Sequence, residues 1–229
     1  STDSAYEDIL RIIATENINS RGLIPARAAN IDDLTISQLK AFDGVILHEY
    51  SYKNRDRAFA LLEKYVQEGG KLFVDTGAEV RESNSRNLPE VFPFRASERG
   101  SWGRDWELTA TSSDLLKNVD IGKFGPLIFA DSDWKLTTPE AGDLRAGVNV
   151  LLANGGRPIL TEQSLGQGKV IWSGLNLAYH YNQYKSSDEA NLFLNILKHF
   201  SDVGARGPIG AEVVFQSPEK VVVKTGEAA

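Results

Sequence analysis

Cysteine and methionine are both missing from the 229-residue sequence. Without cysteine there is no disulfide, no thiolate metal site and no cysteine nucleophile. Without methionine there is no initiator, so Ser1 is not expected to be a natural start. Long apolar runs are lacking too: no segment approaches the ~20 apolar residues that span a bilayer, and no signal-peptide pattern is visible. Basic tracts are absent, and 31 acidic residues outnumber 25 Lys plus Arg, for a formal charge of −6. That balance argues against a nucleic-acid surface. What is present is an ordinary globular composition, 41% hydrophobic and 24% charged in 25.2 kDa. A chain of this size buries a substantial core unaided and forms one large domain or a domain plus an appendage.

The first half alternates between helical and strand periods. Tyr6, Ile9, Leu10, Ile12 and Ile13 form one apolar stripe, with Asp3 or Ser4 as the cap. Gly22 to Ala26 reads as a short strand, placed at an edge or a strand end by Pro25. Thr35 caps a short helix, and Asp43 to His48 is a buried strand of parallel type. Arg55 to Glu68 is the clearest helix, ended by Gly69-Gly70, and Lys71 to Asp75 is the next strand. This order predicts an α/β fold. Residues 81–104 read as a long loop or inserted lobe. Strands are expected at Trp106 to Thr111 and Pro126 to Ala130, with a short helix around Leu115 and Leu116. Val148 to Leu152 and Pro158 to Thr161 flank Asn154-Gly155-Gly156, a hairpin signal. Gly166-Gln167-Gly168 turns into a strand ending at Ser173, and a last helix runs from Ser187 to Phe200.

Three stretches, Phe42 to Leu47, Val66 to Val74 and Leu165 to Trp172, together resemble the class I glutamine amidotransferase-like superfamily. The closest likeness is to its non-amidotransferase branches, such as ThuA-like proteins and the trimerisation domain of some β-galactosidases. The resemblance covers roughly residues 5 to 200. It implies a flavodoxin-like, mostly parallel sheet flanked by helices, with antiparallel additions from the later hairpin.

Two departures from that pattern matter. A true amidotransferase carries its nucleophilic cysteine on a sharp turn after a strand; the corresponding turn here is Asp75-Thr76-Gly77-Ala78-Glu79. With no cysteine, and without a nucleophile-elbow pattern around Thr76, glutamine hydrolysis by the family mechanism is excluded. The family fold also opens with a central strand before its first helix, whereas this sequence begins almost at the helix. Either that strand has been cut away or another segment fills its slot; at least one of the apolar tail runs Val213 to Phe215 and Val221 to Val223 is expected to pair with the main sheet, in this chain or a neighbour. The tail from Phe215 to Val223 also resembles the opening of a β-sandwich module in the outer portions of large multispanning membrane proteins, several of them glycosyltransferase-like.

In an open α/β sheet, ligands bind beyond the carboxyl ends of the strands. The residues there are His48, Glu49 and Tyr50, then Asp75 and Glu79, then Asp131 and Asp133, with His180 after the strand that ends at Ser173. Glu49, Asp75 and His180 are candidate acid–base groups, and with His48 they are a candidate divalent-metal cluster. The competing reading is that Asp75 caps the following turn and His180 bonds a loop backbone. No H-E-x-x-H spacing supports a metal, and the Asp131-Ser132-Asp133 alternation lacks the rest of a calcium loop. Trp102, Trp106, Trp134, Tyr179, Tyr181 and Tyr184 are stacking platforms for a sugar or plugs of the core, with Arg99 and Arg104 nearby. His48, Tyr50, Trp102, Tyr179, Tyr181 and Tyr184 are the candidate ligand-binding set.

The organisation expected is an amidotransferase-like domain over residues 1–203, then a linker and β tail over 204–229 that opens a second domain. The leading functional expectation is a catalytically inactive binding or assembly module. It would belong to an extracytoplasmic part of a membrane-associated, glycan-related protein, use no cofactor or metal, and bind a saccharide, a protein or further copies of itself. The alternative is a carbohydrate-active hydrolase or isomerase using the carboxylate and histidine groups.

Overall fold

Leu72, Phe73 and Val74 are all fully buried because the strand that carries them is covered on both faces. The structure is a computed structural model and describes residues 3–15, 25–76, 81–102, 105–109, 113–129, 132–140, 142–201, 211–216 and 220–225. Its helices are α1 (Asp3–Thr15), α2 (Ile36–Leu39), α3 (Arg55–Gln67), α4 (Leu177–Tyr184) and α5 (Ser187–Phe200). A six-stranded sheet is built from β1 (Val45–His48), β2 (Lys71–Asp75), β4 (Trp106–Leu108), β8 (Asn149–Asn154), β9 (Arg157–Leu165) and β10 (Gly168–Ser173), in the order β1-β2-β10-β9-β8-β4. β1, β2 and β10 are mutually parallel, and β9, β8 and β4 extend the sheet antiparallel. This is an α/β arrangement of helices on a mixed sheet, parallel over β1, β2 and β10 and antiparallel over the rest.

Two small ladders lie outside it: β3 (Ser97–Gly100) with β7 (Leu136–Pro139), and β5 (Ile128–Phe129) with β6 (Ser132–Asp133). The lobe expected over 81–104 therefore contains a strand. The strand expected over Pro126 to Ala130 is only the two residues of β5.

Side chains alternate across the sheet into two cores. Phe73 and Ile171 face α1, α4 and α5, together with Ile12, Phe193 and Ile196. Leu72, Val74, Val170 and Trp172 face α3, together with Phe59, Leu62, Tyr65, Phe92 and Phe94. Local signals fix the element ends. Thr35 and Gln38 form a capping box at α2, and the Asn54 side chain accepts the Arg57 N–H at α3. Gly155 and Gly156, with φ of 52° and 74°, make the two-residue turn joining β8 to β9.

Three expectations end differently. Gly22 to Ile24 of the proposed early strand lie outside the described residues, and Pro25 and Ala26 are not in a strand. The tail runs do form strands, β11 (Ala211–Gln216) and β12 (Lys220–Thr225), but these pair with each other in a separate two-stranded sheet. The expected pairing of a tail strand with the main sheet of its own chain is therefore not formed. Tyr179, Tyr181 and Tyr184, which carry no helix signal in the sequence, lie with His180 in helix α4.

Candidate functional site

β1, β2 and β10 end side by side, in register at His48, Asp75 and Ser173. Helix α4 begins just beyond them, after Asn176, whose φ of 57° lies in the left-handed region. The Asp75 carboxylate accepts the N–H of Leu177 at 2.7 Å and of Ala178 at 3.1 Å, closing the first turn of that helix. A carboxylate there satisfies orphan donors and faces the positive end of the helix dipole. Thr76 is fully buried, and its hydroxyl donates to the Ser173 carbonyl at 2.9 Å. The turn that would carry an amidotransferase nucleophile thus has its hydroxyl occupied. Glu79, Arg104 and Asp131 lie outside the described residues.

His48 sits between two carboxylates, with Nδ1 3.2 Å from Asp75 Oδ2 and Nε2 3.7 Å from Asp8 Oδ2. The Asp8 approach is too long for a hydrogen bond and the Asp75 approach lacks the geometry of one, so the ring is held mainly by charge. Burial works against the imidazolium, but Asp75, Asp8 and Glu49 outweigh it and raise the His48 pKa to about 9. Glu49 follows with φ of 42°, a left-handed conformation uncommon for a non-glycine residue.

His180 does not join His48. Its Nδ1 lies 2.8 Å from Glu189 Oε1 on α5, and both side chains are completely buried. The same Glu189 oxygen accepts the Gly125 N–H at 2.7 Å. Trp134 meets the His180 ring edge-on at 4.6 Å, and Tyr184 tilts against it at 4.7 Å. Tyr179 stacks on Trp134 at 5.8 Å, while the Trp134 indole N–H donates to the Leu175 carbonyl. Tyr181 is buried against the core. Trp102 lies under the Arg157 guanidinium, and Trp106 packs edge-on to Phe124. The structure therefore gathers Trp134, Tyr179, His180 and Tyr184, and leaves Trp102 and Trp106 elsewhere.

Tyr50 is buried and donates to Glu82, which also accepts from Tyr52 at 2.9 Å and lies 3.5 Å from Arg55 Nε. Burial, with Glu82 beside it, pushes the Tyr50 phenol well above its usual value. Asp8, Glu82 and Glu189 are the partners that sequence reasoning missed. Asp8 and Glu82 are far in sequence from the groups they serve, and Glu189 lies nine residues beyond His180 in the next helix, so no local motif announces any of them.

Two hollows adjoin these elements. A mostly apolar cavity of about 260 Å3 runs beside β1, lined by Ala5, Ile9, Leu34, Leu39 and the residues from Gly44 to His48. A second of about 240 Å3 is lined by Ser113, Asp114, Asn149, Glu162, Lys169 and His199. There His199 and Lys169, both on Glu162 Oε1, hold that carboxyl at a pKa of about 2. Among the described residues no group of three or more His, Asp or Glu side chains is arranged to hold a metal ion. No helix among them is long and apolar enough to cross a membrane.

No protein-family model matches the chain, and no curated protein matches it. Solved structures do. A cytoplasmic protein from Salmonella typhimurium superposes with a TM-score of 0.60 at 18% identity, over 85% of this chain and 86% of its own. A ThuA-like protein from Bacteroides uniformis gives 0.54 at 12% identity, over 87% and 86%. A β-galactosidase from Rahnella sp. R3 gives 0.50 at 15% identity, over 90% of this chain but 29% of the enzyme. The fold is shared. At these identities the likeness carries the fold alone, and the ThuA-like and β-galactosidase neighbours agree with the branches that the sequence resembles.

Proposed function

We propose that the chain is a catalytically silent, amidotransferase-like binding or assembly module. One observation carries this reading. Asp75, Thr76, His180 and Glu189, the groups best suited to chemistry at the strand ends, are each completely buried and engaged in internal hydrogen bonds. A general acid or base must reach the proton it transfers, within about 2.6–3.2 Å of a bound substrate. These four groups instead fasten β2, β10, α4 and α5 together.

The β-galactosidase likeness supports a carbohydrate-related setting. The partner proposed is a saccharide or a protein. The setting proposed is an extracytoplasmic part of a larger membrane protein. Residues 1–203 form the module, and residues 204–229 lead out of it. The test is to incubate the pure protein with a panel of nitrophenyl glycosides and with glutamine, with and without divalent metals. No turnover is expected, with saccharide or protein binding retained. Sugar release that depends on metal and disappears in Asp75→Asn would overturn the reading.

A further inference from the structure

Five consecutive residues, Gly44 to His48, line the cavity of about 260 Å3. Successive side chains of a strand point to opposite faces, so a hollow that touches all five must face the strand's edge. β1 is the last strand of the sheet, and among the described residues none hydrogen-bonds to its outer side. Alternate backbone N–H and C=O groups of a parallel strand point outward on that side. The best complement to them is another extended backbone.

The walls say what that backbone should carry. Ala5 and Ile9 of α1 close one face of the groove, and Leu34, Leu39 and Leu62 close the other. A strand seated between them meets apolar surface on both faces, so its apolar residues should be consecutive rather than alternating. Val213-Val214-Phe215 and Val221-Val222-Val223 are runs of that kind, and they lie in β11 and β12. Those two strands pair only with each other among the described residues, from Ala211 opposite Thr225 to Gln216 opposite Lys220. An isolated two-stranded hairpin is marginal in water. The hairpin also departs from the right place. The Phe200 side chain packs so closely on Gly44 that a Cβ there would collide with it, and Lys71 Nζ holds the Phe200 carbonyl at 2.9 Å. The chain therefore leaves α5 beside the start of β1.

We propose that the outer edge of β1 receives a strand from the C-terminal hairpin of a second copy of this chain. This rests on the assembly role proposed above and names its partner. Among the described residues of one chain the hairpin forms its own sheet and no strand pairs with the outer edge of β1. A two-fold exchange covers both exposed edges at once and closes, which avoids open-ended growth from unpaired strands.

The cysteine-free sequence makes the test clean. Val45→Cys and Val222→Cys variants of the 229-residue chain are mixed and treated with a short bismaleimide, whose reach spans neighbouring registers. Cross-linked dimers joining the two variants are expected, with sedimentation giving twice the chain mass. Val222→Pro should return the protein to monomer while its helical circular dichroism is unchanged. Amide exchange at Val45 to Leu47 in the unsubstituted chain should slow as concentration rises. Monomer mass at all concentrations would overturn the proposal, as would a Val45→Cys/Val222→Cys double variant that cross-links only within one chain while the mixed single variants do not cross-link. Neither result touches catalytic silence, which is read from turnover.

Discussion

The Asp75 carboxylate accepts the backbone N–H of Leu177 at 2.7 Å, joining the end of β2 to the first turn of a helix 102 residues later. With the second bond to Ala178 and the nearby charge of His48, this side chain is a fastening between strand and helix. Asp75→Ala leaves two buried N–H groups without their acceptor and takes away the nearer of the two carboxylates beside the buried His48 ring. Removing one member of a buried ion pair costs about 3–5 kcal/mol. Urea denaturation should therefore show a large loss of stability, and an unchanged midpoint would deny the fastening role.

His48 predicts how that stability varies with pH. Burial lowers its affinity for a proton, but Asp75 and Asp8 outweigh burial and raise its pKa to about 9. A raised folded-state value means the stabilisation is complete below the unfolded value of about 6.5 and is lost as pH climbs through 9. The shift corresponds to something on the order of 3 kcal/mol. The urea midpoint should fall as pH rises from about 6.5 to about 9. His48→Gln should show no such fall over that interval.

Much of the parallel half is legible in the sequence because its signals are local. Val45 to Leu47 and Leu72 to Val74 are apolar runs of strand length, and they pair as neighbours. Gly155-Gly156 and Gly166-Gln167-Gly168 announce the two turns that lead into and out of β9. Helix α4 is not legible, since its first N–H groups are capped by Asp75 from another element and Asn176 enters it left-handed. The site suffers from the same distance. His180 lies nine residues before Glu189, which in sequence reads only as an acid in the first turn of α5. Asp75 does act as a cap, but of α4 rather than of the turn that follows it, and His180 bonds a carboxylate rather than a loop backbone.

Glycine spacing offers a separate check on the turn before β10. A Cβ on Gly168 would collide with the carbonyl oxygens of Gly70 and Val66, both backbone atoms that cannot swing aside. At Gly156 the surroundings are open, and only its φ of 74° resists substitution. Gly168→Ala should therefore cost well over the ~1 kcal/mol expected for a purely conformational penalty, and Gly156→Ala about that penalty. Equal melting temperatures for the two variants would contradict the packing described.

The most direct measurement exploits the chain's three histidines. His48 and His180 are buried, whereas His199 is partly exposed beside Glu162. Native protein is treated briefly with diethylpyrocarbonate, digested and mapped by mass spectrometry. Modification confined to His199, with His48 and His180 reacting only after denaturation, is the result that a catalytically silent site predicts. Rapid native modification of His180 would mean that its ring reaches solvent and is available for chemistry, and would contradict the account.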